Sequence, residues 1–328
     1  MSAPLLSPLD ASNLRTRGLL LPSPTPSTHL LHKRHLTHLS AIEYRLLPLS
    51  APFPQNAFAA IPTHLESFES LLHVGLSNAK ATEIWNRWVE DWPADGPRRE
   101  TDPDDGWGLQ VTFLDLIMGS LENKVDAISS NDHEWRTCLD ARGIDVATQD
   151  AIMDPALADL RRTKSCLDWA RDSIEMRYKG LVEIQRSSRM REVKLQKAVD
   201  DLGWSQGSEK EKGIANTEAD IWGSPTAIEA LDMPGYTTLF KAVDEARLVG
   251  LLDHTGALSK IERLLSPAPS GFNGSRSGFH FTPDPSIASY QAAYAKRRAR
   301  YESIVIVSFR IPNTAIERLS EPDIQRVF

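Results

Sequence analysis

A heptad-like pattern of apolar residues between Lys164 and Val199 is the feature that most constrains how this 328-residue chain can fold. The apolar positions are Leu167, Ile174, Leu181, Ile184 and Met190. Such spacing predicts one long helix, with a break near Gly180, that buries one face against other helices. Arginine and glutamate share its remaining faces, which favours a bundle or coiled-coil helix over a nucleic-acid-binding stripe.

The rest of the N-terminal sequence divides into parts of different composition. From residue 41 to 201 apolar residues recur at helical spacings, so we predict an all-α helical domain there. Residues 1–40 begin with a mixture of Pro, Ser and Thr that is typical of a disordered or extended arm. Residues 202–234 are rich in Gly, Ser, Lys and Glu, and this composition predicts a linker.

The C-terminal part, residues 235–328, has the patterns of a small α/β domain. Two runs rich in β-branched and aromatic residues, 236–243 and 303–311, predict strands. A helix is predicted between them, capped by Ser286 and ending in the basic run 296–300. The predicted fold class is α+β, with an N-terminal all-α domain followed by this small α/β domain.

Short motifs in the C-terminal part resemble the core of the ADP-ribosyltransferase superfamily. The first strand of that family reads aromatic, then Arg or His, then Gly, and a later strand reads Gly-aromatic-x-aromatic. A helix after the later strand carries the Tyr that binds nicotinamide. The resemblance implies an ADP-ribosyltransferase-like fold with NAD as cofactor, bound by Phe240, Lys241, Ala242, Gly278, Phe279, His280, Tyr290 and Tyr294. The whole chain also resembles a group of uncharacterised fungal proteins in which a helical region precedes such a segment.

Three departures from the family pattern concern the chemistry. Lys241 stands where the family has Arg or His, and a lysine is a point charge without the planar fork of arginine. Ala242 replaces a glycine whose backbone approaches the carboxamide of the cofactor, and a Cβ there obstructs that approach. The family's catalytic Glu lies on a strand after the equivalent of residues 303–311, and no Glu of this chain matches that position.

The resemblance and its departures imply a degenerate ADP-ribosyltransferase-like protein. It would bind NAD weakly, or bind a protein partner through its helical domain, without turnover. One alternative is an active mono-ADP-ribosyltransferase with an unrecognised catalytic Glu, for which Glu302, Glu317 and Glu321 are the nearby acids. A second alternative is a non-enzymatic helical interaction protein whose C-terminal unit is purely structural.

Charge and cysteine content restrict the partners and the compartment. The formal net charge is −7, and its acidic excess lies before residue 235, which argues against a nucleic-acid partner. No apolar run approaches the ~20 residues that span a bilayer, so no membrane segment is expected. Cys138 and Cys166 lie in helical patterns, which favours buried thiols over a disulfide between them. We therefore expect the cytosol or the nucleus.

Histidine recurs every three residues at His29, His32, His35 and His38. This spacing predicts a helix on which successive histidines step by ~300° and spread over half of the circumference. The four side chains cannot then all reach one ion, and neither Cys nor an acidic residue lies among them. We predict a solvated helix face and no metal site.

The predicted linker can be tested by limited proteolysis. Exposed segments rich in Gly and Ser are the preferred sites of proteolytic cleavage, so a protease should cut first within residues 205–225. A helical fragment of about residues 40–200 should then resist digestion. Mass spectrometry of the first products identifies the sites, and preferred cleavage inside residues 164–199 would contradict the domain division.

Overall fold

The computed structural model describes residues 3–36, 57–90, 99–101, 108–122, 126–128, 131–202, 234–248, 250–251, 257–266, 278–300 and 303–319. The predicted linker lies outside these ranges except at its two ends. Helices and small antiparallel sheets are both present, so the fold class is α+β, as the sequence predicts. No helix in the described ranges is long and apolar enough to cross a membrane.

Residues 3–36 form a folded N-terminal unit and do not match the arm predicted for residues 1–40. Helix α1 (Pro8–Thr16) precedes strands β1 (Leu20–Pro22) and β2 (Thr28–His32). Strand β2 pairs antiparallel with β1 on one side and with β3 (Phe58–Pro62) on the other.

Leucines placed between the prolines explain why this unit folds. Leu14, Leu19 and Leu31 are at most 1% exposed, and they form a cluster with Leu181 and Ile184 of the long helix. Composition alone emphasised the prolines and serines, whereas the free energy of the unit comes from burying its leucines.

The predicted all-α domain of residues 41–201 also contains strands. Strand β3 belongs to the N-terminal sheet, and β4 (Arg99–Thr101) pairs antiparallel with β5 (Gly108–Gln110). These strands are only three to five residues long, so they give little alternation for a sequence pattern to detect.

The histidine-rich segment is a strand and not the predicted helix. His29 and His32 lie in β2, His35 ends a 3₁₀ turn, and His38 lies outside the described residues. A helix would leave Leu31 without a core, whereas the sheet places it in the N-terminal cluster.

Helices α2 to α8 form most of the remaining N-terminal part. Their bounds are α2 (Phe68–Val74), α3 (Asn78–Glu90), α4 (Phe113–Gly119), α5 (Asp132–Ala141), α6 (Val146–Ile152), α7 (Ala158–Arg161) and α8 (Cys166–Leu202). Polar N-cap residues explain where several of them begin. The side chains of Ser67, Thr112, Asn131 and Asp145 each accept a hydrogen bond from a backbone N–H of the first turn.

Helix α8 is the long helix that the heptad-like pattern predicts. It has 37 residues and runs without a break through Gly180. Ile174, Leu181 and Ile184 are buried, so the predicted apolar face is confirmed over this part. Met190 is 51% exposed, although the neighbouring Ser188 and Arg191 contact Asp10 of α1, so it lies on a face that the described residues leave uncovered.

The C-terminal part contains the two predicted strands as one antiparallel pair. Strand β6 (Tyr236–Asp244) pairs with β7 (Ile304–Pro312) over nine residues. Helix α9 (Pro285–Ala299) lies between them in the chain and α10 (Asn313–Glu317) follows β7. The predicted cap of α9, Ser286, is two residues too late: the side chain of Asp284 accepts from the N–H of Ser286 at 2.7 Å, so Asp284 is the N-cap.

The motif around Phe279 and Phe281 forms no continuous strand within the described residues. It contributes two isolated antiparallel bridges, Gly278 with Ser266 and Thr282 with Phe240. The second bridge attaches this segment to the edge of β6, with backbone hydrogen bonds of 2.7 and 2.9 Å.

Helix α9 packs on the helical part through buried side chains. Tyr294 is 1% exposed, belongs to the main hydrophobic cluster and donates its hydroxyl to the carbonyl of Ile152 at 3.0 Å. The buried guanidinium of Arg177 donates to the carbonyl of Arg298 at 2.9 Å and to Thr148 Oγ1 at 2.6 Å. It also donates to the carbonyl of Val74 at 3.3 Å. The two predicted domains therefore share a core.

Gly75 offers a test of how closely these parts pack. It ends α2 at φ +107°, and an added Cβ would lie within 2.5 Å of Arg177 Nη1 and against Thr148 Oγ1. Gly75→Ala should therefore lower the free energy of unfolding by about 3 kcal/mol or more, since backbone strain and steric overlap add.

Gly18 is the matched control, because it has φ +68° but no atom within 4 Å of an added Cβ. Gly18→Ala should cost only about 1–2 kcal/mol, the cost of the left-handed backbone. Urea unfolding followed by circular dichroism measures both. Equal losses in the two variants would contradict close packing around Gly75.

Candidate functional site

A cleft of about 310 Å³ lies where helix α8, strand β6 and helix α9 meet. Trp169 and Asp172 face it from α8, and Tyr294 and Arg298 face it from α9. Spacings of three and four residues place each pair on one face of its helix. Lys241 lines the cleft from β6, so three separate elements build one cavity.

Basic side chains outnumber acidic ones around this cleft. Its cationic lining residues are Lys164, Lys241, Arg247, Arg263 and Arg298, and its carboxylates within the described residues are Asp172 and Asp244. The surplus of positive charge in a partly desolvated cavity favours an anionic ligand.

Asp172 neutralises part of the positive charge of the cleft. Its carboxylate lies 2.5 Å from Arg298 Nη1 and 3.2 Å from Arg247 Nη2. Burial raises the pKa of this carboxyl group, but Arg298, Arg247 and Lys164 together lower it by a larger amount. The net pKa therefore lies well below its ordinary value. Asp172 is therefore ionised at neutral pH and holds two arginines in the wall.

Asp244 contacts Arg247 as well, but its charge is less well stabilised. The carboxylate lies 2.9 Å from Arg247 Nε and accepts from the backbone N–H of Arg247 at 3.1 Å. Burial raises the pKa of Asp244, and the neighbouring Asp172 raises it too, so the attraction of Arg247 is outweighed.

Lys241 is held in the cleft by neutral groups. Its Nζ donates to Ser266 Oγ at 2.6 Å and to the carbonyl of His280 at 3.3 Å, and it lies 5.7 Å from the ring centre of Phe281. Burial, Lys164 and Arg247 together lower the pKa of Lys241 to about 8. Burial and Lys241 also lower the pKa of the nearby His280.

Aromatic rings form part of the wall between the charges. The guanidinium of Arg298 lies 4.4 Å from the ring centre of Trp169 and 4.7 Å from that of Tyr294. Lys164 Nζ lies 5.1 Å from the Trp169 ring. Flat rings beside cations suit a ligand that combines a phosphate with an aromatic base.

The structure brings together half of the residues that the sequence nominated. Lys241, Ala242, His280 and Tyr294 line the cleft. Tyr290 is on α9 but is 39% exposed, and its hydroxyl donates to the carbonyl of Ala156 at 2.7 Å, outside the cleft.

The three remaining nominated residues lie apart from the cleft lining. Phe240 is 3% exposed within the sheet, Phe279 is 44% exposed, and Gly278 is bridged to Ser266. The resemblance also implies that residues 266–277 lie next to the binding groove, and of these only Ser266 is within the described residues.

Sequence reasoning missed the residues that come from the helical part. Trp169 and Asp172 lie in α8 and Lys164 lies two residues before it, in a pattern whose charged residues normally face solvent. The basic run at the end of α9 gave no signal that Arg298 is buried, because cations are common in the last turn of a helix.

The two cysteines form a separate buried cluster. Cys138 and Cys166 are free thiols in the structure, and with Asp126 they bring three ligand atoms within 4.8 Å of one another. Arg142 Nη1 lies 2.9 Å from Cys138 Sγ, and Asp126 Oδ1 accepts from the backbone N–H of Leu167 at 2.9 Å. A metal ion there would lie against a guanidinium, which disfavours it.

Comparison of the chain with protein-family models, with curated proteins and with solved structures found no match. The chemistry of the cleft is therefore the basis from which a function can be inferred.

The different states of the two carboxylates give a prediction. Asp172→Asn leaves buried Arg298 without its charge partner, so it should lower the free energy of unfolding by about 3–5 kcal/mol at pH 7. Asp244→Asn is the matched control and should cost less than about 1 kcal/mol, because burial already disfavours the charge of Asp244.

The stabilisation by Asp172 should also change with pH in a defined direction. Since the pKa of Asp172 is lowered by folding, its contribution is complete above about pH 4 and is lost as the pH falls below that value. The stability difference between wild type and Asp172→Asn should therefore shrink on acidification. Urea unfolding at several pH values measures it, and an equal cost for both variants at pH 7 would contradict the assignment.

Proposed function

We propose that this chain binds NAD, or a closely related phosphate-bearing nucleotide, weakly and without turnover in the cleft between α8, β6 and α9. It would then be a degenerate ADP-ribosyltransferase-like protein. The observation that carries the proposal is the surplus of cationic side chains beside aromatic rings in one cavity.

The phosphate groups would be bound by the cations that have no carboxylate partner. Lys164, Lys241 and Arg263 form no ion pair with the described residues, whereas Arg247 and Arg298 are engaged by Asp172. Charge-assisted contacts to phosphate oxygens are the strong polar contacts of such sites. The cleft volume is near the lower end of ligand pockets, so one mononucleotide half would enter it.

Weak binding and lack of turnover follow from the same residues. Lys241 gives a point charge in place of the fork of arginine, and Ala242 carries a Cβ where the family has none. Cleavage of the nicotinamide–ribose bond needs a carboxylate free to stabilise an oxocarbenium-like state. Within the described lining the carboxylates are Asp172 and Asp244, and arginines already hold both.

Calorimetric titration with NAD tests the proposal alongside an assay for released nicotinamide. Lys241→Met removes one charge-assisted contact, so it should weaken NAD binding about ten- to a hundredfold. Tyr290→Phe is the control, since its hydroxyl bonds to Ala156 outside the cleft, and it should leave the affinity unchanged. No nicotinamide should be released by either variant or by wild type.

Two results would contradict this proposal in different ways. Nicotinamide release that disappears in Glu317→Gln would support an active transferase.

No binding at millimolar NAD would favour a second candidate function, in which the helical part binds a protein partner. One observation supports that candidate: Val182, Met190 and Val193 are 40–54% exposed within an 80° sector of α8.

A further inference from the structure

The amine of Lys241 has an unusual position in the cleft. It lines the cavity from the middle of β6, and its hydrogen-bond acceptors are the hydroxyl of Ser266 and the carbonyl of His280. No carboxylate of the described residues forms an ion pair with it. Two other lysines differ in this respect: Lys80 pairs with Glu83 at 2.7 Å and Lys179 pairs with Glu175 at 2.5 Å.

The surroundings of this amine favour its neutral form. Lys164 and Arg247 line the same cavity, and a third cation close to these two is disfavoured in a desolvated site. With a pKa of about 8, about one tenth of Lys241 is neutral at pH 7, against about one in 3,000 for an ordinary lysine. Only the neutral amine is a nucleophile.

The same cations would orient a charged substrate toward this amine. Lys164 and Arg263 make no ion pair with the described residues, so they remain able to bind a phosphate group. The Phe281 ring beside Lys241 and the Trp169 ring across the cleft suit a flat organic group attached to that phosphate.

From this geometry we infer that Lys241 forms a covalent imine with a phosphate-bearing aldehyde or ketone bound in the cleft. The amine nitrogen attacks the carbonyl carbon, and the carbonyl oxygen takes a proton to give a carbinolamine. That intermediate loses its hydroxyl as water, and the C=N bond of the imine replaces the C=O bond. The step consumes one amine and one carbonyl group, releases one water and requires no oxidant or reductant.

This inference does not depend on the binding of NAD. Both use the cationic cleft, but NAD has no free aldehyde, and its reversible binding is measured by calorimetry. Imine formation has its own readout, a stable mass increase after reduction.

Reductive trapping with pyridoxal 5′-phosphate as the probe tests the inference on the full chain. Sodium borohydride converts the imine to a secondary amine, and peptide mapping by mass spectrometry locates it. We expect labelling of Lys241 at least about tenfold faster than of exposed Lys194 at pH 7, following their different fractions of neutral amine. The rate at Lys241 should rise with pH to a midpoint near pH 8.

Two variants and one second probe complete the experiment. Lys241→Arg keeps the charge but forms no imine, so it should lose the fast label, whereas Lys194→Arg should keep it. Circular dichroism melting shows whether Lys241→Arg is folded, and the map of wild-type labelling needs no variant. Pyridoxal lacks the phosphate and reacts more slowly with every lysine, so its labelling is compared as the ratio of Lys241 to Lys194. This ratio should be about tenfold lower than with the phosphate-bearing probe, and inorganic phosphate should compete with that probe at Lys241.

Two outcomes would overturn the inference. Labelling spread evenly over Lys241 and the exposed lysines would show that the cleft does not activate the amine. An equal ratio of Lys241 to Lys194 labelling with pyridoxal and with its phosphate would exclude the cations as an anchor.

Discussion

The ion pair between Asp172 and Arg298 joins the two halves of this protein, and the candidate site depends on it. Asp172 belongs to the long helix and Arg298 to the last turn of α9, so their contact crosses the boundary between the predicted domains. Arg298 also stacks on Trp169 and Tyr294, which places it in the wall of the cleft. Burying both charges of such an ion pair costs desolvation free energy. The pair nevertheless lies beside cations of the cleft that form no ion pair with the described residues. The side chains that hold the two parts together therefore also line the candidate cleft.

The elements that could be predicted are those with long and regular patterns. Helix α8 and strands β6 and β7 each carry a long local signal, and the structure confirms all three elements, with α8 lacking the break predicted near Gly180. The N-terminal unit could not be predicted in this way, because β2 is stabilised by β3 across a separation of more than twenty residues. Local spacing of histidine indicated a helix there, and the distant strand outweighed it.

Only half of the candidate site could be predicted from the sequence, because its other half comes from a distant part of the chain. The motif residues Lys241 and His280 are linked through the bridge between Phe240 and Thr282, and both reach the cleft. The opposite wall comes from Trp169 and Asp172, more than sixty residues earlier in the chain. Nothing in a helical pattern shows which of its charged residues will be covered by a later helix. Tyr290 and Tyr294 show the same limit, since only their packing shows which of the two faces the cavity.

The hydrogen bonds of Arg177 influence how the whole chain unfolds. Its guanidinium satisfies the terminal carbonyls of α2 and α9, at Val74 and Arg298, together with the hydroxyl of Thr148 at the start of α6. Loss of α9 would leave a nearly inaccessible cation short of an acceptor, and an unsatisfied buried cation is among the costliest defects in a protein interior. Separate unfolding of the C-terminal part is therefore disfavoured, so the two parts are expected to unfold in one cooperative transition despite the long segment that connects them.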